Sequence, residues 1–294
     1  MRRIVSPAFP LALGFLFPTI SPAQAAPPVP AKSVGESLTL LATFDHGPDA
    51  DFARGDRKIY TTLSGKREEA KPGLAVDAVI APNKGKRGDA LRFTKKSKEV
   101  VFFKVDKNLD YKKKDWGGTV SFWISVDPDK ELDPDYVDPF HITEKSWDDA
   151  GLWVDFPKEH KPRHIRLGVF ADKKVWNPDG TKVLEKMPPA EQPMFDAGKP
   201  PFATGKWSHV AIVFDHFNTG KKDGSATLYI DGKKQGSVAG RELTYTWDPD
   251  KAAIMLGLSY TGLLDEIAAF DRPLTDAEIK ALYEADGVPN AHAK

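Results

Sequence analysis

The stretch Gly205-Lys-Trp-Ser-His-Val-Ala-Ile-Val-Phe-Asp215, followed by Ser225-Ala-Thr-Leu-Tyr-Ile-Asp-Gly-Lys-Lys-Gln-Gly236, decides the fold. Asp231-Gly232 lies between Leu228-Tyr229-Ile230 and a polar return segment, and Asp-Gly supplies the two positive-φ residues that a two-residue hairpin turn requires. The pairing is therefore local and antiparallel. Period-two alternation puts His209 on one strand face with Trp207, Ala211 and Val213. That placement predicts a packed, hydrogen-bonded structural histidine rather than a catalytic one.

Outward from the hairpin, residues 118–126 alternate Val120, Phe122, Ile124 and Val126 against Thr119, Ser121, Trp123 and Ser125, which reads as a half-buried antiparallel strand. Strand-like runs also cover residues 38–44, 90–93, 100–105, 140–143, 151–156, 165–170, 252–258 and 262–270. Residues 59–62 and 74–80 offer extra edge strands within a long connection. Thr275 and Glu278 form a capping box that opens a short helix running to Tyr283. Residues 176–203 carry eight prolines and glycines, read as a long loop, and a loop of that length inside a compact domain has a job or is an insertion. Many short strands with one helix predict an all-β antiparallel jelly-roll sandwich whose first and last strands are neighbours.

The 294 residues suit one large all-β domain, and Lys+Arg and Asp+Glu both total 42. No net field draws such a chain to nucleic acid or anionic lipid. Arg2 and Arg3, an apolar run from Phe9 to Phe17, and Ala23-Gln-Ala25 read as a signal peptide cleaved after Ala25, too short in its apolar part to span a bilayer. The expectation is a secreted or periplasmic protein, with no membrane insertion and no nucleic-acid partner. There is no cysteine, so neither disulfides nor lipid attachment through an N-terminal Cys enters, and stability rests on an ordinary core and a bound ion at most. The organisation read is leader 1–25, Pro-rich spacer 26–36, sandwich 37–288 and tail 289–294.

Three segments, in order, resemble the laminin-G-like domains of the concanavalin A-like lectin/glucanase superfamily. They are the Gly118-to-Val126 strand with its Thr-Val-Ser-Phe-Trp run, the Gly205-to-Gly236 hairpin with its Leu-Tyr-x-Asp-Gly turn, and Gly262 to Ile279, where Asp265-Glu266 leads into a helix opened by Leu274-Thr-Asp-Ala-Glu278. With the strand ending at Phe44-Asp45, the likeness covers residues 38–286. It implies a jelly-roll fold, which hosts lectins, adhesion modules and glycosidases alike. It also implies a structural Ca²⁺ clamped between first and last strands, with Asp45 and Asp265 as ligands beside backbone carbonyls near Gly47.

The superfamily's glucanases carry a Glu-x-Asp-x-(x)-Glu strand, with two carboxylates flanking the glycosidic bond. No such strand is present; Glu131-Leu-Asp-Pro-Asp135 is the nearest string and lies in a proline-broken loop. There is no Gly-x-Ser-x-Gly elbow or phosphate loop. His160 and His164 are separated by Pro162 and so cannot share a helical face in the zinc-binding manner. Among the tryptophans, Trp147, Trp153, Trp176 and Trp247 lie in or beside expected loops, whereas Trp116, Trp123 and Trp207 read as core or strand-end residues. Exposed Trp stacks on sugar rings, so the candidate ligand surface is Trp147 with Asp148 and Asp149, together with Trp176 and Asn177. The expected function is non-catalytic recognition of a polysaccharide or glycosylated surface. The alternatives are a structural or protein-interaction sandwich, or a glycoside hydrolase or lyase of the same fold.

Overall fold

The computed structural model describes residues 32–63, 67–285 and 287–288, and Lys32 onward forms one compact unit. The expected leader and most of the spacer lie outside the described residues. Seventeen strands follow in chain order: β1 (Leu38–Ala42), β2 (Phe52–Ala53), β3 (Ile59–Leu63), β4 (Lys71–Pro72), β5 (Ala78–Ala81), β6 (Ala90–Phe93), β7 (Glu99–Lys104), β8 (Trp116–Ser125) and β9 (Val137–Thr143). The rest are β10 (Gly151–Phe156), β11 (Arg166–Phe170), β12 (Met194–Asp196), β13 (Ser208–Phe217), β14 (Gly224–Ile230), β15 (Lys233–Arg241), β16 (Ala253–Leu258) and β17 (Gly262–Phe270). Three α-helices accompany them: α1 (Val34–Ser37), α2 (Lys173–Trp176) and α3 (Asp276–Glu284).

The strands form two antiparallel sheets. The first runs β15-β14-β13-β8-β17-β1-β2, with β6 joined to β17 and β5 to β6; the second runs β12-β11-β10-β9-β16-β7-β3-β4. The apolar parities of both sheets fill one core, which includes Phe122 of β8, Phe140 of β9, Val154 of β10 and Ile254 of β16. The Asp231-Gly232 turn has φ of 49° and 71°, the positive pair that the dipeptide predicts. First and last strands pair directly, Leu38 opposite Phe270 and Ala42 opposite Ile267.

Two local readings change. The fold starts inside the expected spacer, because Ser33 and Glu36 form a capping box on α1 and Lys32 reaches Asp271 at 2.6 Å. The strand at residues 118–126 is buried on both faces, not one. Its second face is roofed by α3, whose Ile279 and Leu282 pack with Leu38, Ala211 and Phe270, while Tyr283 stacks on Trp123 at 5.7 Å.

His209 lies under this roof, 1% exposed and 5.2 Å from Trp123. It is packed as expected but its Nδ1 has no hydrogen-bond partner. Burial, with the nearby Arg87 guanidinium, pushes its pKa down to about 3. The folded protein keeps this imidazole neutral while the unfolded chain protonates it near pH 6.5. Its stabilising contribution is thus whole above that value and is lost as the pH falls towards 3, at up to about 1.4 kcal/mol per pH unit. In urea titrations across that range, His209→Gln is expected to flatten the pH slope relative to wild type by about one proton.

Candidate functional site

The second sheet's outer face carries a groove of about 760 Å³, within the size range of small-molecule sites. Strand register lays a single row of residues across it: Phe102, Met255, His141, Trp153, Gly168 and Met194 are successive cross-strand partners from β7 to β12. At the row's centre the Trp153 ring lies flat over Gly168, where an added Cβ would sit 2.1 Å from the indole. Only glycine allows that approach. The indole N–H donates to the Trp147 carbonyl at 2.9 Å, and Phe170 stacks beside the ring at 5.8 Å. Trp153 is thus a fixed floor, 3% exposed, in a strand rather than a loop.

Two aromatic side chains stand above this floor. Trp147 is 49% exposed, edge-on to Phe170 at 5.4 Å, and Tyr136 is 43% exposed with Arg166 over its ring. Between them lie the polar pairs. Arg166 holds Asp155 through two bonds of 2.9 and 2.5 Å. Burial pushes the Asp155 carboxyl up, to about 7, against the guanidinium that favours its charged form. His141 meets Asp138 at 2.8 Å through Nδ1, which therefore carries the proton, and its Nε2 is buried without a partner at the groove wall. An orphaned buried acceptor of this kind costs free energy unless something fills it.

The segment 176–203 is one wall of the groove. Leu184, Glu185 and Gln192 line it, and the Gln192 amide donates to the Leu184 and Met187 carbonyls, pinning the wall's shape. Within the segment, β12 adds an edge strand that the proline and glycine content conceals.

Of the residues singled out from sequence, Trp147 alone presents a free face to this groove. The Trp176 indole donates to the Asp148 carbonyl at 2.8 Å and its ring packs on Phe170; it lines a separate cavity beside Arg241 and Met187. Asn177 is 6% exposed and spends both ends of its amide on the Lys182 backbone. Asp148 is tied to Ser146 and Lys173, and Asp149 accepts the Lys173 N–H. These four residues shape the loop that holds Trp147 in place. Trp247 is buried, its indole donating to the Ala150 carbonyl. The Glu131-to-Asp135 string is a surface turn, Asp135 pairing with Lys96 at 3.0 Å. Sequence reasoning passed over His141, Asp155 and Arg166, whose alternation with core residues along β9, β10 and β11 is the signal that would have found them.

Asp45 and Asp265 grip one loop, residues 85–89, from two elements. Asp45 accepts the Asp89 N–H at 2.7 Å; Asp265 accepts the Arg87 N–H at 3.2 Å. A bulge in β17, with Glu266 at φ 51°, turns Asp265 inward. Among the described residues no cationic side chain pairs with Asp265, and burial pushes its carboxyl up to about 8. The Asp265 Oδ2 and the carbonyls of Arg87 and Asp89 crowd the space that a side chain at Gly85 would take, at 2.8, 2.1 and 2.1 Å from its Cβ position. All are hard oxygen donors, a set that fits Ca²⁺.

The chain belongs to the concanavalin A-like lectin/glucanases superfamily, matching its laminin-G family over residues 103–280. No curated protein sequence matches it. Among solved structures it is similar to domain 4 of AbnA, an extracellular arabinanase from Geobacillus stearothermophilus solved with arabinotriose. The TM-score is 0.52 at 17% identity, covering 84% of this chain and 98% of that one. It is also similar to the binding domain of Paraclostridial Mosquitocidal Protein 1, with TM-score 0.53, 14% identity, and 85% and 52% of the two chains covered. The binding domain of Botulinum Neurotoxin DC in complex with SialylT gives 0.51, 12%, 86% and 52%. The chain spans about half the length of those two binding domains. At such identities the likeness is one of fold.

The seat of Trp153 is testable by packing alone. Gly168→Val is expected to lift the indole from the sheet and destabilise the protein by about 1–3 kcal/mol, read as a lower urea midpoint with a shifted tryptophan emission maximum.

Proposed function

We propose that the protein is an exported, non-catalytic recognition module that takes a polysaccharide, or the glycan of a glycosylated surface, into the groove on the second sheet. The observation that carries this reading is the exposed aromatic pair Trp147 and Tyr136 above a groove lined by the buried Trp153 and by His141, whose Nε2 has no partner among the described residues. Aromatic faces supply the apolar area on which sugar C–H faces stack, and a buried acceptor fixes one hydroxyl. Arabinotriose and SialylT, named with two similar folds, support the ligand class. Three of the groove's four lining carboxylates are engaged, Asp155 by Arg166, Asp138 by His141 and Glu159 by the Tyr136 hydroxyl. That supports binding over hydrolysis, which needs an acid and a base free to exchange protons. Export rests on the leader at residues 1–25.

The test is affinity electrophoresis of the folded, leader-free protein through soluble polysaccharides, arabinan included, with a glycan array for sialylated oligosaccharides. Saturable retention is expected, weakened about tenfold, or about 1.4 kcal/mol, by Trp147→Ala. Trp176→Ala should leave it nearly unchanged. Failure of the folded protein to retain any glycan would leave the sandwich as a protein-interaction or scaffold domain.

One observation favours a second reading. A groove-lining histidine whose Nδ1 is held by Asp138 and whose Nε2 has no partner among the described residues is arranged as a general base, so the same polysaccharides should be followed for reducing ends and for unsaturated products. Their appearance, lost in His141→Ala, would make the protein a hydrolase or lyase.

For the loop at residues 85–89 the proposal is a structural Ca²⁺ held by Asp265, Asp45 and the Arg87 and Asp89 carbonyls. Excess calcium is expected to raise the melting temperature over that in chelator, by the equivalent of about 2.7 kcal/mol at a hundred times Kd. Asp265→Asn should abolish the difference. Equal melting temperatures for wild type in both conditions would reject the ion.

A further inference from the structure

The rim of the groove carries a cluster that neither the fold nor the proposed glycan site requires. His160 and His164 do not share a helix, as Pro162 dictates, but the turn between them lays their imidazoles face to face, with centroids 3.8 Å apart and planes within 2°. Both rings address Asp196. His164 Nδ1 stands 3.0 Å from its carboxylate and His160 Nε2 stands 3.6 Å away. Asp196 is set there by register, since β11 pairs Arg166 with Asp196 and the Ile165 and Gly198 backbones continue the ladder. Its Oδ1 also accepts the Gly198 N–H at 2.7 Å.

We propose that His160 Nε2, His164 Nδ1 and Asp196 form a binding site for a borderline divalent transition-metal cation such as Zn²⁺. Parallel, stacked rings cannot both aim their in-plane lone pairs at one ion, so binding turns one of these part-exposed imidazoles out of the stack, and the separations to Asp196 suit that step. Ligand atoms at about 2.0–2.1 Å from one tetrahedral zinc stand roughly 3.3–3.4 Å apart, and the observed 3.0 and 3.6 Å bracket that separation. All three ligand atoms lie within 4.8 Å of one another. Two imidazoles and one carboxylate select zinc, copper or nickel over calcium and magnesium, which take all-oxygen sets. The Gly198 N–H serves as the outer partner that orients a ligating carboxylate. Three protein ligands leave a position open to solvent, and His160 also lines the groove.

The site is distinct from the oxygen cluster at Asp265 and does not depend on glycan binding. Isothermal titration of the leader-free protein with ZnCl₂ in a metal-free, non-chelating buffer at about pH 7.5, where free histidine is mostly deprotonated, tests it. One saturable site is expected, undiminished by millimolar Ca²⁺, weakened at least about tenfold by Asp196→Asn and lost in His160→Gln/His164→Gln. X-ray absorption at the zinc edge should report two imidazole nitrogens and a carboxylate oxygen at about 2.0–2.1 Å. Absence of saturable zinc binding by the wild type, binding unchanged in the double variant, or a shell without paired imidazoles would each overturn the proposal, whether or not any glycan binds.

Discussion

The pairing of the opening strand β1 with the closing strand β17 is the constraint on which the rest depends. Leu38 meets Phe270 across more than two hundred residues of chain, and β17 in turn pairs with β8 at the centre of the first sheet. Closing so long a loop is entropically costly, though the cost grows only slowly with length. What offsets it is burial on two sides, since β17 sends Leu264, Ile267 and Ala269 into the main core and Ala268 and Phe270 under α3. The capping box at Thr275 starts α3 where it can cover that second side. Lys32 and Arg54 converge on Asp271 just past the strand's end, tying α1 and the segment after β2 to the same junction.

This closure makes the two outer faces unequal. The first sheet spends its outer face on α3, where Leu38, Ala211, Phe270 and Ile279 form a second small core, and His209 and Trp123 are buried beside it against Tyr283. Among the described residues no α-helix covers the second sheet. Its outer face is bounded instead by the segment 176–203, which supplies a wall and leaves Trp147 and Tyr136 exposed at the groove. An antiparallel sheet can tolerate one solvated face. Here that face carries buried charge pairs and a stacked indole, which stability alone does not call for.

The fold was legible because its signals are local. The Asp231-Gly232 turn, the alternation through Phe122 and the Thr275 capping box each need only a few neighbouring residues. The groove was not, because its members meet only through register. Nothing near Trp153 in sequence announces that Gly168 stands opposite it, and nothing near His164 announces Asp196, thirty-two residues on. Loop context singles out Trp147, Trp176 and Asn177 alike, and only packing separates the exposed indole of Trp147 from the two side chains bonded into the loop. β12 was hidden because a three-residue edge strand can follow a proline-rich segment with no alternation of its own.

His141 and His209 show how similar burial leads to different chemistry. Both are almost wholly enclosed, and each has one ring nitrogen without a partner. His209 has aromatic rings for neighbours and a guanidinium nearby, so it is held neutral and inert. His141 has a carboxylate on its far nitrogen, which fixes the tautomer and leaves the near one as an acceptor at a groove wall. An unpartnered acceptor inside a closed core carries only a cost, whereas at the wall of an open groove the same vacancy can be filled by an arriving hydroxyl. The sheet that α3 leaves uncovered is therefore the one on which a buried polar atom can contribute to binding.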